Sequence, residues 1–246
     1  MRLTRIHVAM PLSSGSEIDL PDGAATHLAR VLRLGVGDSC LLFNGDGNDY
    51  AARIVAAAGK RGLRVAIESV LAVDRESPLR LVLLQGIARG EKMDMILQKA
   101  TELGVSAILP LSSQRSEVKL DDSRSAKRLA HWQSVVVAAC EQSGRAKVPT
   151  VGAPGTLAAV LAALPEGGTR LLLDPDGGLS MPALTLPSAT PVLLAVGPEG
   201  GWSPLDREQV AAAGFQGLRL GPRVLRTETA GLAAIAALQA RFGDLG

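Results

Sequence analysis

Val192–Ala230 reads VLLAVGPEGGWSPLDREQVAAAGFQGLRLGPRVLRTETA. A short apolar run ends at Val196 in the turn Gly197-Pro198-Glu199-Gly200-Gly201. Ser203, Pro204 and Asp206 then form a helix start: a hydroxyl N-cap, proline at the first helical position, an acid in the first turn. Gly214 stops that helix, and Phe215 to Leu220 reads as a second short strand. A second rigid loop, Gly221 to Thr229, leads into an apolar helix from Ala230 to Phe242, for which Thr227 and Thr229 are N-cap candidates. Two strands ending in glycine- and proline-bearing loops mark a ligand site, because open α/β sheets bind at the carboxyl ends of their strands.

Upstream of this stretch, strand and helix alternate from Leu79 onward, the pattern of an α/β layered fold. Leu79 to Gln85 is an apolar strand. Met93, Ile96, Leu97, Ala100 and Leu103 then fall on one face of a helix that opens near Gly90 and ends at Gly104. Val105 to Leu111, a helix from about Ser125 to Glu141, a short helix Thr156 to Leu164 and the strand Arg170 to Leu173 follow. Before Asp74-Arg75-Glu76-Ser77-Pro78, a charged linker ending in proline, the chain is β-rich. Strand candidates Arg5 to Met10, Ser39 to Phe43, Tyr50 to Ala57 and Leu63 to Val70 surround one helix opening at Asp22 or Gly23. Asn44 to Asn48 is a hairpin turn. These readings predict two domains, residues 1–72 and 73–246.

Composition narrows the function. Of 246 residues 47% are apolar and mean hydropathy is +0.22, enough for a sizeable core, but aromatics are only 2%. A sheet that binds RNA by stacking bases is therefore not expected. The net charge of +2 neither announces nor excludes a nucleic-acid partner. Cys40 and Cys140 stand far apart and the three histidines lack ligand spacing, so no metal is expected. The N-terminal apolar run is too short for a signal peptide or a membrane span, which predicts a cytoplasmic protein.

GPEGGWSPLD followed by LGPRVLRTETA closely resembles the paired signatures of the RsmE family, bacterial methyltransferases that modify N3 of a uridine in 16S ribosomal RNA. HLARVLRLGVGD, FNGDGNDY and QGIARGEKMDMILQKATELGV resemble further family segments, so the likeness covers nearly the whole chain. It implies an α/β SPOUT methyltransferase domain, a parallel sheet with a deep trefoil knot, preceded by a small PUA-like β-barrel domain that binds RNA. It also implies a homodimer, S-adenosylmethionine (SAM) bound in the knot, and 16S ribosomal RNA, within the small ribosomal subunit, as partner.

Under that resemblance the cofactor candidates are Leu194, Val196, Gly197, Pro198, Glu199, Gly200 and Gly201 of the first loop. From the second come Leu218, Leu220, Gly221, Arg223, Val224, Leu225, Arg226 and Thr227. Uracil N3 must lose its proton, so a cation near O2 or O4 or a proton acceptor is needed. Arg226 is the candidate for the first role, with a salt bridge to Glu228 or Glu199 as its structural alternative. Glu199 could accept the proton, bond nearby loop amides, or stabilise the N-terminus of the Pro204 helix. Arg5, Arg33, Lys92, Arg115 and Arg145 are the RNA-contact candidates, with Lys119 and Arg124 beside them. Two other functions fit the same residues: a SPOUT enzyme acting on another RNA, such as tRNA ribose 2′-O, and a non-catalytic ribosome-assembly factor.

Overall fold

The computed structural model describes residues 3–58, 62–118 and 122–246, the side chains of Asp122 and Ser123 excepted. Lys119 therefore lies outside the described residues. The chain folds into two compact units: Met1–Glu76 with Cys140–Val148, and Ser77–Ala139 with Pro149–Gly246. A single boundary near residue 72 assigns the segment 140–148 to the wrong unit.

The first unit opens with β1 (Arg5–His7), β2 (Glu17–Asp19) and the short α1 (Asp22–Thr26), which continues as a π-helical turn, His27–Val31. β3 (Ser39–Phe43), β4 (Asn48–Ala58) and β5 (Gly62–Ala72) complete a sheet in the order β1-β3-β4-β5-β2. The turn between β3 and β4 is held by Asp46 and Asn48 amides donating to the side chains of Asn44 and Asp46. Leu28, Leu42, Ile54, Val65 and Ile67 fill the core.

The first unit also buries a cluster of polar side chains. Arg5, only 6% exposed, pairs with Asp49 at 2.6 Å and donates to the backbone oxygens of Cys140 (2.6 Å) and Arg145 (3.1 Å). Its guanidinium lies 4.4 Å from the centre of the Phe43 ring. Arg145 is equally buried and pairs with Glu76 at 2.5 Å. Both arginines thus replace their hydration with fixed partners, the condition under which a buried charge is tolerated. Cys40 and Cys140 are buried as well, and burial pushes both thiols up to about 11.

The second unit contains β6 (Leu81–Gly86), α2 (Glu91–Glu102), β7 (Ala107–Ser112), α3 (Asp122–Ser143) as far as Ala139, β8 (Thr150–Val151), β9 (Gly155–Thr156) and α4 (Leu157–Ala162). β10 (Thr169–Leu173), β11 (Leu179–Ser180), β12 (Val192–Val196), α5 (Pro204–Ala212), β13 (Gln216–Arg219) and α6 (Thr227–Phe242) follow. Every strand pairing in its sheet is parallel, in the order β11-β13-β10-β12-β6-β7-β8, with β9 beside β7. β12 is buried at all five positions, as a strand covered on both faces must be.

Between β12 and β13 the chain passes over β10, which lies between them in the sheet. α6 then returns to pack on α2, β6 and β12. Through this order the carboxyl ends of β13, β10, β12 and β6 stand side by side at one edge of the sheet.

Candidate functional site

Each loop at that edge is fixed by local chemistry. α5 starts with a complete capping box: the Asp206 amide donates to Ser203 Oγ (3.0 Å), and the Ser203 amide donates to Asp206 Oδ2 (2.9 Å). Asp206 Oδ1 also accepts the Gln114 amide at 3.3 Å, drawing in the loop after β7. Arg207 of α5 pairs with Asp174, at the end of β10.

Two glycines matter because of close approach. A Cβ on Gly86 would lie 2.7 Å from the Gly197 carbonyl carbon, and one on Gly200 would lie 2.7 Å from the Arg115 oxygen. Only a residue without a side chain lets the β6 end and the 113–116 segment press against the first loop.

Thr227 joins the two loops. It is not the N-cap of α6; Arg226 holds that position, without a side-chain cap, and Thr227 is the first helical residue. Its hydroxyl donates to the Gly197 oxygen (2.5 Å) and accepts from Gln85 Nε2 (3.1 Å). The expectation that Thr227 caps the helix is corrected: the half-buried Gly197 oxygen across the cavity outcompetes the local amide. Thr229 caps nothing either, since it is already inside α6.

These loops enclose a cavity of about 460 Å³, within the roughly 300–1,000 Å³ typical of small-molecule sites. Val196, Gly197, Pro198, Glu199, Gly201, Leu218, Leu220, Gly221, Arg223, Val224, Leu225, Arg226 and Thr227 line it, so both loops form one pocket. Leu194 does not. It shares the strand face of Val196 but lies about 6.6 Å further down β12, fully buried. Gly200 also stays out of the lining.

Sequence reasoning missed Leu173, Asp174 and Pro175, which form a third wall, and Trp202, Arg207, Glu228 and Ala230. The loop starting at Asp174 is recognisable as a turn, but its place depends on β10 lying between β12 and β13.

The charged groups sort themselves by partner. Glu199 Oε1 accepts the Arg89 amide (3.1 Å), so this carboxylate supports the loop after β6 and not the Pro204 helix, which caps itself. Lys92 Nζ stands 3.5 Å from Glu228 Oε1 and 3.9 Å from Glu199 Oε1. Among the described residues, the second oxygens of both carboxylates, Glu199 Oε2 and Glu228 Oε2, have no hydrogen-bond donor. Arg226 is exposed and forms no ion pair among the described residues; Lys92 takes the position its salt-bridge alternative gave it.

Of the RNA-contact candidates, Arg5 and Arg145 are corrected: both are buried and consumed by the ion pairs of the first unit. Arg33 and Arg30 are both exposed, and Arg124 is exposed on α3. Lys92 and Arg115 line the cavity.

A family model described as an RNA methyltransferase domain matches residues 75–239, and one described as an RNA methyltransferase PUA domain matches residues 20–68. The ribosomal RNA small subunit methyltransferase E of Buchnera aphidicola subsp. Schizaphis graminum is 32% identical over 244 residues, which cover 99% of this chain and 98% of the relative. Among solved structures, a ribosomal RNA small subunit methyltransferase E from Neisseria gonorrhoeae bound to S-adenosyl methionine superposes with a TM-score of 0.94 at 42% identity, covering 100% of both chains. A Legionella pneumophila protein in complex with the cofactor SAM gives the same TM-score at 38% identity, covering 99% of this chain and 100% of its own.

Proposed function

Because the chain belongs to the ribosomal RNA small subunit methyltransferase E family, we propose that it methylates N3 of a uridine in 16S ribosomal RNA, using SAM. The observation that carries this reading is the cavity at the adjacent ends of β13, β10, β12 and β6. Its walls fit the cofactor: Val196, Leu218, Leu220 and Leu225 offer an apolar floor for adenine and ribose, and the two loops bring backbone donors and acceptors close. When bound, SAM supplies a methyl group activated by its sulfonium.

The protein's part is orientation and charge placement. Arg226 holds the uracil carbonyl edge and stabilises negative charge developing on O2 or O4 as N3 loses its proton; a guanidinium does this without changing protonation. Arg33, Arg30 and Arg115 supply phosphate contacts.

The chain is also read as knotted and dimeric. The passage over β10, with α6 returning onto β12 and β6, supports the knot. Val224 supports the dimer: an apolar side chain 80% exposed on a cavity wall suits burial by a second copy. A substrate in ribosomal subunits places the enzyme in the cytoplasm, and among the described residues no helix is long and apolar enough to cross a membrane.

The test uses labelled SAM and small subunits lacking the modification. Wild type transfers label to 16S RNA. Arg226→Ala still binds SAM in calorimetry but loses on the order of 10²–10³ in turnover. An Arg226→Ala variant with full turnover would remove its assigned role.

A further inference from the structure

Lys92 is bracketed by two carboxylates, yet each keeps one oxygen with no donor among the described residues. Leaving a buried acceptor unpaired is unfavourable, so a site that keeps two beside its cavity is arranged for a donor arriving with a ligand. The two acids are not equivalent. Glu199 already holds the Arg89 amide. Glu228, its side chain 12% exposed, has among the described residues the 3.5 Å contact to Lys92 as its one ion pair, and it follows Arg226 by two residues on the wall of the same cavity.

We infer that Glu228 is the group that reads and deprotonates the target base, a role that rests on the methyltransferase reading above. The imide edge of uracil presents an acceptor, the N3–H donor and a second acceptor. Lys92, Glu228 and Arg226 present a donor, an acceptor and a donor. Cytosine, whose N3 is an acceptor, would set lone pair against carboxylate, and a site built for a particular hydrogen bond rejects the analogue that lacks it.

In the reaction the N3 proton passes to the Glu228 carboxylate as N3 bonds to the methyl carbon. The carbon–sulfur bond breaks with its electron pair left on sulfur. Lys92 of α2 and Arg226 balance the charge that forms, while Glu199 remains tied to the loop after β6. The charged groups around Glu228 that bear on its protonation are therefore Lys92, Glu199 and Arg226.

The experiment compares wild type and Glu228→Gln, both as full chains, on small subunits lacking the modification. Calorimetry gives SAM affinity and a melting curve reports folding. The expected result is SAM affinity within about threefold of wild type and turnover lower by roughly 10²–10⁴. Wild-type turnover levels off with rising pH, whereas the variant keeps climbing about tenfold per pH unit, because hydroxide must now take the proton. Unchanged turnover, a parallel pH profile, or loss of SAM binding with the fold intact would each overturn the assignment. If Glu228→Gln unfolds, Glu228→Ala is read instead, and a pH profile identical to wild type at full turnover counts against the role. Wild type that leaves the RNA unlabelled would sink the methyltransferase reading itself; active wild type with an equally active variant removes only the role of Glu228.

Discussion

Thr227→Val replaces the hydroxyl that joins the two loops with a methyl group of nearly the same shape. Thr227 is 7% exposed, so the vacated position is not open to water. The Gly197 oxygen loses a 2.5 Å donor, and Gln85 Nε2 loses one of its two acceptors while keeping the Gly86 oxygen at 2.9 Å. Two orphaned groups at about 1–3 kcal/mol each, one of them on the half-buried Gly197, give a loss of ~2–4 kcal/mol. For a chain of this size that lowers the melting temperature by roughly 5–15 °C. Loosening Gly197 against α6 also opens the cavity, and SAM affinity falls on the order of tenfold or more. Thermal melting with and without SAM, with calorimetry, reads both. Thr227→Ser keeps the hydroxyl and stays near wild type. A Thr227→Val variant melting within about 2 °C of wild type, with unchanged SAM affinity, would refute the tie between the loops.

Three further outcomes are expected. Arg5→Ala breaks the buried pair with Asp49 and destabilises the first unit by ~3–5 kcal/mol in urea denaturation; native stability with weakened RNA binding would restore Arg5 as an RNA contact. Gly86→Ala forces a Cβ against the Gly197 carbonyl carbon and costs ~1–3 kcal/mol of overpacking. That displaces the first loop and lowers SAM affinity about tenfold, whereas wild-type affinity would show that the strand can yield. Val224→Asp shifts the mass in light scattering from two chains to one; a wild type already at the mass of one chain would remove the dimer.

What the sequence made legible was local. β3 has the expected bounds, Ser39–Phe43, and β12 ends at Val196 as expected, because apolar runs bounded by turn residues need no tertiary information. Met93, Ile96, Leu97 and Ala100 are buried on α2 as their spacing predicts. Both loops of the opening stretch line one cavity.

What stayed hidden depends on distant partners. Arg5 reads as a surface cation until Asp49, 44 residues away, is placed beside it. The wall at Leu173–Pro175 requires the strand order, which puts β10 between two strands that follow it in the chain. Thr227 looks like a helix cap by every local rule, and loses that role to Gly197 and Gln85. The return of Cys140–Val148 to the first unit is equally a matter of long-range pairing, carried by the hydrogen bonds from Arg5.

The most direct test of the account is the position of the transferred methyl group. Small subunits lacking the modification are incubated with the full chain and SAM labelled in its methyl group, and the 16S RNA is digested to nucleosides for mass spectrometry. The predicted result is label in 3-methyluridine at one site. Label on ribose, on a purine, or on no nucleoside despite bound SAM would contradict it.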